Sequence, residues 1–219
     1  MSTGFSRHSR SLTRRKHSVG RIGLSIADVS GKGVAAAFFM AVTRTMMRGE
    51  ALAGLRPTEC LRRVNERLCR ENPVDMFVTA LYAEFDPETG QLIVVNAGHC
   101  EPVVAGRDGK TRMLERAGNP PLGVIPNKQF AEKSFTLGEG EILVLYTDGV
   151  TEAYNRNGDL FKLQRLLDIA QQQCDRPPQE FMLAVIGGVD AFAAGAVQND
   201  DITCLVIRRN ASGAKLGAA

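Results

Sequence analysis

The chain of 219 residues contains no tryptophan, and aromatic residues make up only 6% of it. Because stacking on nucleic-acid bases needs aromatic side chains, this scarcity argues against a nucleic-acid-binding protein. The apolar stretches are interrupted by charges, as at Arg44 and Arg48, and none reaches the roughly 18 residues of a membrane span. The basic first residues have no apolar segment behind them, so we expect no secretory signal, no membrane partner and a cytoplasmic location.

The cysteines are odd in number and contain no CxxC pair. They are Cys60, Cys69, Cys100, Cys174 and Cys204. A disulfide framework or a zinc site would need paired, regularly spaced cysteines. We therefore interpret all five as free and mostly buried thiols.

Acidic residues are absent before Asp28, whereas basic residues are frequent there. The basic residues are Arg7, Arg10, Arg14, Arg15, Lys16 and Arg21. Without these six, 21 basic and 24 acidic groups remain, a net charge of −3. We expect a disordered basic arm over 1–20, a folded catalytic domain over 21–210 and a flexible tail over 211–219. A basic arm can contact nucleic acid or anionic lipid, but nothing else in the sequence supports such a partner.

Hydrophobic residues make up 44% of the chain, enough for a buried core. The hydrophobic patterns predict strands over 21–27, 76–85, 91–96, 101–105, 111–114, 141–146 and 202–209, and helices over 34–48, after Pro57, over 160–172 and over 178–193. Strands grouped in hairpins and helices grouped in pairs favour an α+β fold over a parallel sheet with alternating helices. The first helix is apolar nearly all round, so we expect it to be buried, with Met40, Met46 and Met47 in the core.

Aspartates stand at the ends of three predicted strands. Asp28 ends the first strand, Asp148 follows the apolar strand near position 146, and Asp200 and Asp201 directly precede the last strand. Converging carboxylates repel one another unless a cation lies between them, and hard oxygen ligands select Mg²⁺ or Mn²⁺ over zinc. Such a metal can activate water and bind a phosphoryl oxygen. Taken singly, each aspartate is also typical of an ordinary turn or helix cap.

Two further motifs contain residue types that are common in active sites. The stretch SGKG resembles part of a phosphate-binding P-loop, but Ile26 stands where the first glycine belongs and Gly33 replaces the required Ser or Thr. Nucleotide binding by this route is therefore not expected. His99, in the stretch NAGHCEP, is either an acid–base residue or a packing and turn residue.

Five stretches occur in an informative order: IADVSGKGVAAAFFMA, FVTALYAEFDPETGQLIVVNAGHCEPVV, GNPPLGV, LVLYTDGVTEAYNRNGDLF and NDDITCLVIR. In this order they resemble the motif series of the stage II sporulation protein E-like (SpoIIE) serine phosphatases, within the metal-dependent protein phosphatase (PPM) superfamily. The resemblance extends from about Ile22 to Arg209. It implies an α-β-β-α sandwich of two antiparallel sheets flanked by helices.

The resemblance also implies a set of site residues. Asp28 matches the aspartate that bridges two metals, and the carbonyl of Val29 matches a nearby ligand. Asp148 matches the aspartate of the TDG motif, Asp200 the final metal aspartate, and Asp201 the position beside it. By analogy, Asp28, Asp148 and Asp200 are catalytic, and water attacks phosphorus with Mn²⁺ or Mg²⁺ and without a phospho-enzyme.

The activity implied by the resemblance is hydrolysis of phosphoserine or phosphothreonine on a regulatory protein. The family's substrates include anti-sigma-factor antagonists of bacterial partner-switching, and its full-length members carry sensor or receiver domains.

The sequence departs from the family in two places. The family carries an acidic GGDxYD-like motif before the strand of Asp28, whereas the stretch 6–18, SRHSRSLTRRKHS, contains no acid. This predicts missing N-terminal edge strands, a second metal short of a ligand, and the alternative of a catalytically impaired pseudophosphatase that acts as a protein-binding module. In addition, Lys162 follows Phe161 where the family commonly has glycine.

Overall fold

The computed structural model describes the backbone of residues 12–14 and the residues 20–70, 76–198 and 200–210. The elements of this described part are, in chain order, β1 (Leu12–Arg14), β2 (Ile22–Val29), α1 (Val34–Leu52), α2 (Pro57–Arg70), β3 (Val78–Phe85), β4 (Gln91–Ala97), β5 (Val103–Ala105), β6 (Thr111–Met113), β7 (Lys133–Thr136), β8 (Ile142–Tyr146), α3 (Asp148–Thr151), α4 (Lys162–Gln172), α5 (Pro178–Ala193) and β9 (Cys204–Arg208). They divide into two compact units. The first unit comprises 12–101 and 114–137, and the second comprises 102–113 and 138–210.

The first unit is built on a five-stranded antiparallel sheet in the order β1-β2-β3-β4-β7. The predicted hairpin joins β3 to β4, and its turn is stabilised by Asp86, whose Oδ1 accepts hydrogen bonds from the main-chain nitrogens of Glu88 (3.0 Å) and Thr89 (3.2 Å). Gly90 completes the turn at a positive φ of 79°, which glycine adopts without strain.

Helices α1 and α2 cover one face of this sheet. The face of α2 that was predicted from Leu61, Val64 and Leu68 is fully buried. On β2, Ala27 and Val29 pack against the same core. Because side chains alternate along a strand, Asp28 points to the opposite face of the sheet.

The second unit is built on a four-stranded antiparallel sheet in the order β6-β5-β8-β9. All five residues of β8 are buried, as its uninterrupted apolar sequence predicts. Helices α4 and α5 pack on this sheet and on each other. Phe161 and Phe192 meet edge to face with ring centroids 5.6 Å apart, and the guanidinium of Arg165 lies 4.4 Å from the Phe192 ring centroid.

The α+β class, with two antiparallel sheets and flanking helices, is confirmed. Helix α1 is the main correction, because the prediction that it is buried all round is wrong. Val34 and Phe38 are 73% and 69% exposed, although Met47 lies in the core and Met40 and Met46 pack against it as predicted.

Three short elements were not predicted. Strand β1 lies inside the expected disordered arm and pairs with Ile22–Leu24 at the edge of the first sheet, so disorder is not what the structure shows at these three residues. The rest of the arm up to residue 19 and the tail from 211 lie outside the described residues. Strand β7 and the one-turn helix α3 were also missed. In the described part of the chain, no helix is long and apolar enough to span a bilayer.

Candidate functional site

Thr147 connects the end of β8 to the segment before β9 in the second unit. It is 2% exposed and extended, with φ −87° and ψ 159°. Its main-chain nitrogen donates to the carbonyl oxygen of Thr203 (3.1 Å), and its Oγ1 accepts from the Thr203 nitrogen (3.0 Å). The same hydroxyl donates to the carbonyl oxygen of Asp201 (2.8 Å). These three bonds hold the segment 201–203 beside the start of α3, where Asp148 is the first residue.

Gly149 brings the two acidic segments closer than another residue would allow. A β-carbon at this position would lie 2.5 Å from the carbonyl oxygen of Asp201 and 3.4 Å from the carbonyl carbon of Asp200. Asp200 is itself ordered locally, since its Oδ1 accepts from the Asp201 nitrogen (2.8 Å) and its carbonyl oxygen accepts from Gln198 Nε2 (2.8 Å). The second unit therefore brings the chain segments of Asp148, Asp200 and Asp201 together.

The carboxylate of Asp148 has a buried oxygen that protein groups do not satisfy. Its Oδ1 is inaccessible to solvent and has no hydrogen-bond partner. A buried charged oxygen without a donor is costly, and a bound cation would offset that cost. Cys204, opposite Tyr146 in the sheet, offers no thiolate, because burial raises the pKa of its thiol to about 12. The nearby donors are thus oxygens, which fit a hard divalent cation.

Asp28 and Val29 end β2 in the first unit. The next residue, Ser30, is tied to the chain before β3: its nitrogen donates to the carbonyl oxygen of Phe77 (2.9 Å), and its Oγ accepts from the Phe77 nitrogen (2.8 Å). Thr79 lies opposite Asp28 in the register and its hydroxyl donates to the Asp28 carbonyl oxygen (3.4 Å). The strand end that carries Asp28 is therefore held on its β3 side.

Within either unit, the described residues contain no group of three or more His, Cys, Asp or Glu side chains placed to hold a metal ion. Asp28 and Val29 belong to the first unit, and Asp148, Asp200 and Asp201 belong to the second.

His99 is buried, with 3% of its surface exposed. Its Nδ1 lies 2.9 Å from Thr79 Oγ1, and its main-chain nitrogen donates to Asn96 Oδ1 (2.7 Å). Sequence reasoning singled out His99 but missed Thr79, Asn96 and Thr147. In the sequence, these three residues are distinguished only by lying inside the motif stretches that resemble the family.

Two antiparallel sheets, helices packed on each, and aspartates at the strand ends are the arrangement that the family resemblance implies. The chain belongs to the family of stage II sporulation protein E (SpoIIE), whose sequence profile matches residues 18–210.

Two curated relatives share 30% identity with the chain. Protein IcfG of Synechocystis sp. aligns over 224 residues, which cover 86% of this chain and 34% of IcfG. The phosphoserine phosphatase RsbU of Bacillus subtilis aligns over 192 residues, which cover 86% of this chain and 56% of RsbU. The chain thus spans between about a third and just over half of the length of these relatives.

Solved structures show the same fold. The RsbU and RsbW domains of Rv1364c from Mycobacterium tuberculosis match with a TM-score of 0.75 and 29% identity, over 87% of this chain and 52% of that chain. RsbX, solved in complex with magnesium, matches with a TM-score of 0.64 over 89% of this chain and 83% of its own. At 13% identity, the RsbX match supports the fold alone.

Proposed function

We propose that this chain is a metal-dependent protein serine/threonine phosphatase that hydrolyses phosphoserine or phosphothreonine on a regulatory protein. The observation that carries the proposal is the buried, unpartnered Oδ1 of Asp148, in a domain of the SpoIIE family whose next residue, Gly149, closely approaches the main chain of Asp200 and Asp201. A carboxylate in that state is stabilised by a cation.

The residues that would hold Mn²⁺ or Mg²⁺ are Asp28, the carbonyl of Val29, Asp148, Asp200 and Asp201. Of these, we assign the catalytic role to Asp28, Asp148 and Asp200. When bound, the cation would act as a Lewis acid that neutralises negative charge on phosphoryl oxygens and lowers the pKa of water.

The remaining residues position these ligands. Thr147 holds the Asp201 carbonyl through a 2.8 Å hydrogen bond, and Gly149 leaves room for that carbonyl beside Asp148. Ser30 ties the end of β2 to Phe77 through two hydrogen bonds. Preorganised ligands of this kind lower the reorganisation needed when a phosphoryl group binds.

The substrate that we propose is a phosphorylated regulator of partner-switching signalling, such as an anti-sigma-factor antagonist. RsbU is named as a phosphoserine phosphatase, and the Rv1364c chain joins an RsbU domain to an RsbW domain. All five cysteines are free thiols, which fits a reducing compartment such as the cytoplasm. A sensor or receiver domain is a possible further partner in the full-length relatives, which are longer than this chain.

The test is hydrolysis of para-nitrophenyl phosphate and of a phosphoserine peptide with Mn²⁺ or Mg²⁺, with and without a chelator. We expect the chelator to abolish turnover and Asp148→Asn to lower kcat by about 100-fold or more. The matched control is Asp190→Asn, which changes an exposed aspartate on α5 and should leave kcat unchanged. Turnover that survives the chelator, or an Asp148→Asn variant with normal kcat, would contradict the proposal.

A second candidate function is a catalytically impaired module that binds phosphoprotein without turnover. It is favoured by the absence of acidic residues before Asp28. Retained binding of a phosphoserine protein without metal-dependent turnover would select it. Turnover gained when a GGDxYD-like segment replaces part of 6–18 would attribute the impairment to the missing carboxylates.

A further inference from the structure

A series of hydrogen bonds between buried polar groups begins in the loop after β4. Asn96 and His99 are each 3% exposed. Asn96 Oδ1 accepts a hydrogen bond from the main-chain nitrogen of His99 (2.7 Å), and Asn96 Nδ2 donates to the carbonyl oxygens of His99 (3.1 Å) and Cys100 (3.3 Å). Gly98, with φ +74°, allows the turn between them and would clash with Pro121 if it carried a β-carbon. These contacts therefore fix the main chain of His99 independently of its side chain.

This series of hydrogen bonds continues from the His99 ring to the end of β2. Nδ1 of His99 and Oγ1 of Thr79 are 2.9 Å apart, in hydrogen-bonding contact. Thr79 is paired directly with Asp28 in the β2–β3 register, and its hydroxyl also donates to the Asp28 carbonyl oxygen (3.4 Å). A threonine side chain has few favourable rotamers, so the strong contact with His99 selects the one that keeps the hydroxyl at Asp28.

We propose that His99 and Thr79 are positioning residues, which hold the end of β2 so that Asp28 and Val29 are presented in one arrangement. This inference rests on the proposed function, in which those two residues hold a divalent cation. It gives His99 a role other than acid–base catalysis, because the buried ring reaches Asp28 through Thr79. Residues that orient metal ligands commonly change metal affinity by about 10- to 100-fold.

The test compares variants that remove or keep the hydrogen-bonding group. Thr79→Val removes the hydroxyl and keeps the shape, and Thr79→Ser keeps the hydroxyl. The matched control is Thr111→Val on β6 in the second unit. His99→Leu and His99→Asn form a second pair, which tests the same contact from the other side if Thr79→Val does not fold.

Two measurements are made. In the metal-free chain, hydrogen exchange followed by mass spectrometry reports opening of the segment 27–30, and we expect about 5-fold or faster exchange in Thr79→Val and His99→Leu. Calorimetric titration with Mn²⁺ should show about 10-fold or weaker binding in the same two variants. Thr79→Ser, His99→Asn and Thr111→Val should remain within about 3-fold of the parent in both measurements.

Unchanged hydrogen exchange over 27–30 in Thr79→Val and His99→Leu would overturn the inference, whatever the measured affinity for Mn²⁺. Equal loss in Thr79→Ser would also overturn it, because it would show that shape rather than the hydroxyl matters. A parent chain that neither binds Mn²⁺ nor turns over would instead sink the proposed function, and the exchange measurement would still decide whether His99 and Thr79 hold the strand end.

Discussion

Replacing Gly149 by alanine is the sharpest perturbation of the proposed site. The added β-carbon would lie 2.5 Å from the carbonyl oxygen of Asp201 and 2.9 Å from its carbonyl carbon. Both are main-chain atoms, and Thr147 already holds that carbonyl through a hydrogen bond of 2.8 Å. Since no side-chain rotation relieves this contact, the segment of Asp200 and Asp201 must move away from Asp148.

The expected cost follows from overpacking of a buried position. A forced main-chain shift of this kind destabilises by about 2 kcal/mol. For a chain of this length, that loss lowers Tm by about 4–8 °C. We expect the phosphatase rate measured well below Tm to fall more than the stability does, because the displaced residues are those assigned to metal binding.

Gly188→Ala is the matched control for Gly149→Ala. Its β-carbon would meet Ile169 Cδ1 at 2.6 Å, the end of a side chain that can rotate. The gain in helix propensity of about 1 kcal/mol should offset most of that contact, so Tm should change little. If Gly149→Ala and Gly188→Ala behaved alike in both Tm and rate, the close approach of Asp201 to the start of α3 would be refuted.

Three further predictions concern the second unit. Lys162 has φ +66°, so Lys162→Gly should raise the free energy of unfolding by about 1 kcal/mol in urea denaturation, and a loss would contradict the left-handed conformation. Gly187 lies exposed within α5 with nothing within 4 Å of an added β-carbon, so Gly187→Ala should stabilise by about 0.5–1 kcal/mol, seen as a higher Tm. The hydrogen bond from Arg112 lowers the pKa of Glu141 below its usual 4.5. Glu141→Gln should therefore cost stability at neutral pH, and this cost should vanish in urea titrations as pH falls through the lowered pKa; a difference that persists at the lowest pH would refute it.

The elements that could be predicted have hydrophobic patterns of their own. Helix α2 places Leu61, Val64 and Leu68 on one buried face, and the five residues of the apolar strand β8 are all buried. The β3–β4 hairpin was predicted from its turn, in which Asp86 makes the hydrogen bonds typical of that residue. In each case local sequence and tertiary packing favour the same structure.

The elements that were missed depend on partners distant in the sequence. Strand β7 has four residues of alternating exposure, and its identity as a strand comes from pairing with β4. Helix α3 is one turn whose first residue is Asp148, a length at which periodicity carries no signal. Helix α1 was predicted as buried from its composition, but composition does not reveal that Val34 and Phe38 lie on the face away from the core.

The same distinction between local sequence signals and distant contacts applies to the candidate site. The motif order identified Asp28, Asp148, Asp200 and Asp201, because those residues are common to the family that the sequence resembles. Thr147 and Thr79, which hold the segments of Asp201 and Asp28, have no motif of their own, and their importance depends on contacts 54 and 51 residues away along the chain. At Lys162 the family resemblance showed that glycine is usual, but it did not show why. The structure gives a reason, because this residue has a positive φ at the start of α4. Motifs therefore indicate which residues to propose as reactive groups, whereas the contacts that position those residues are a property of the folded chain.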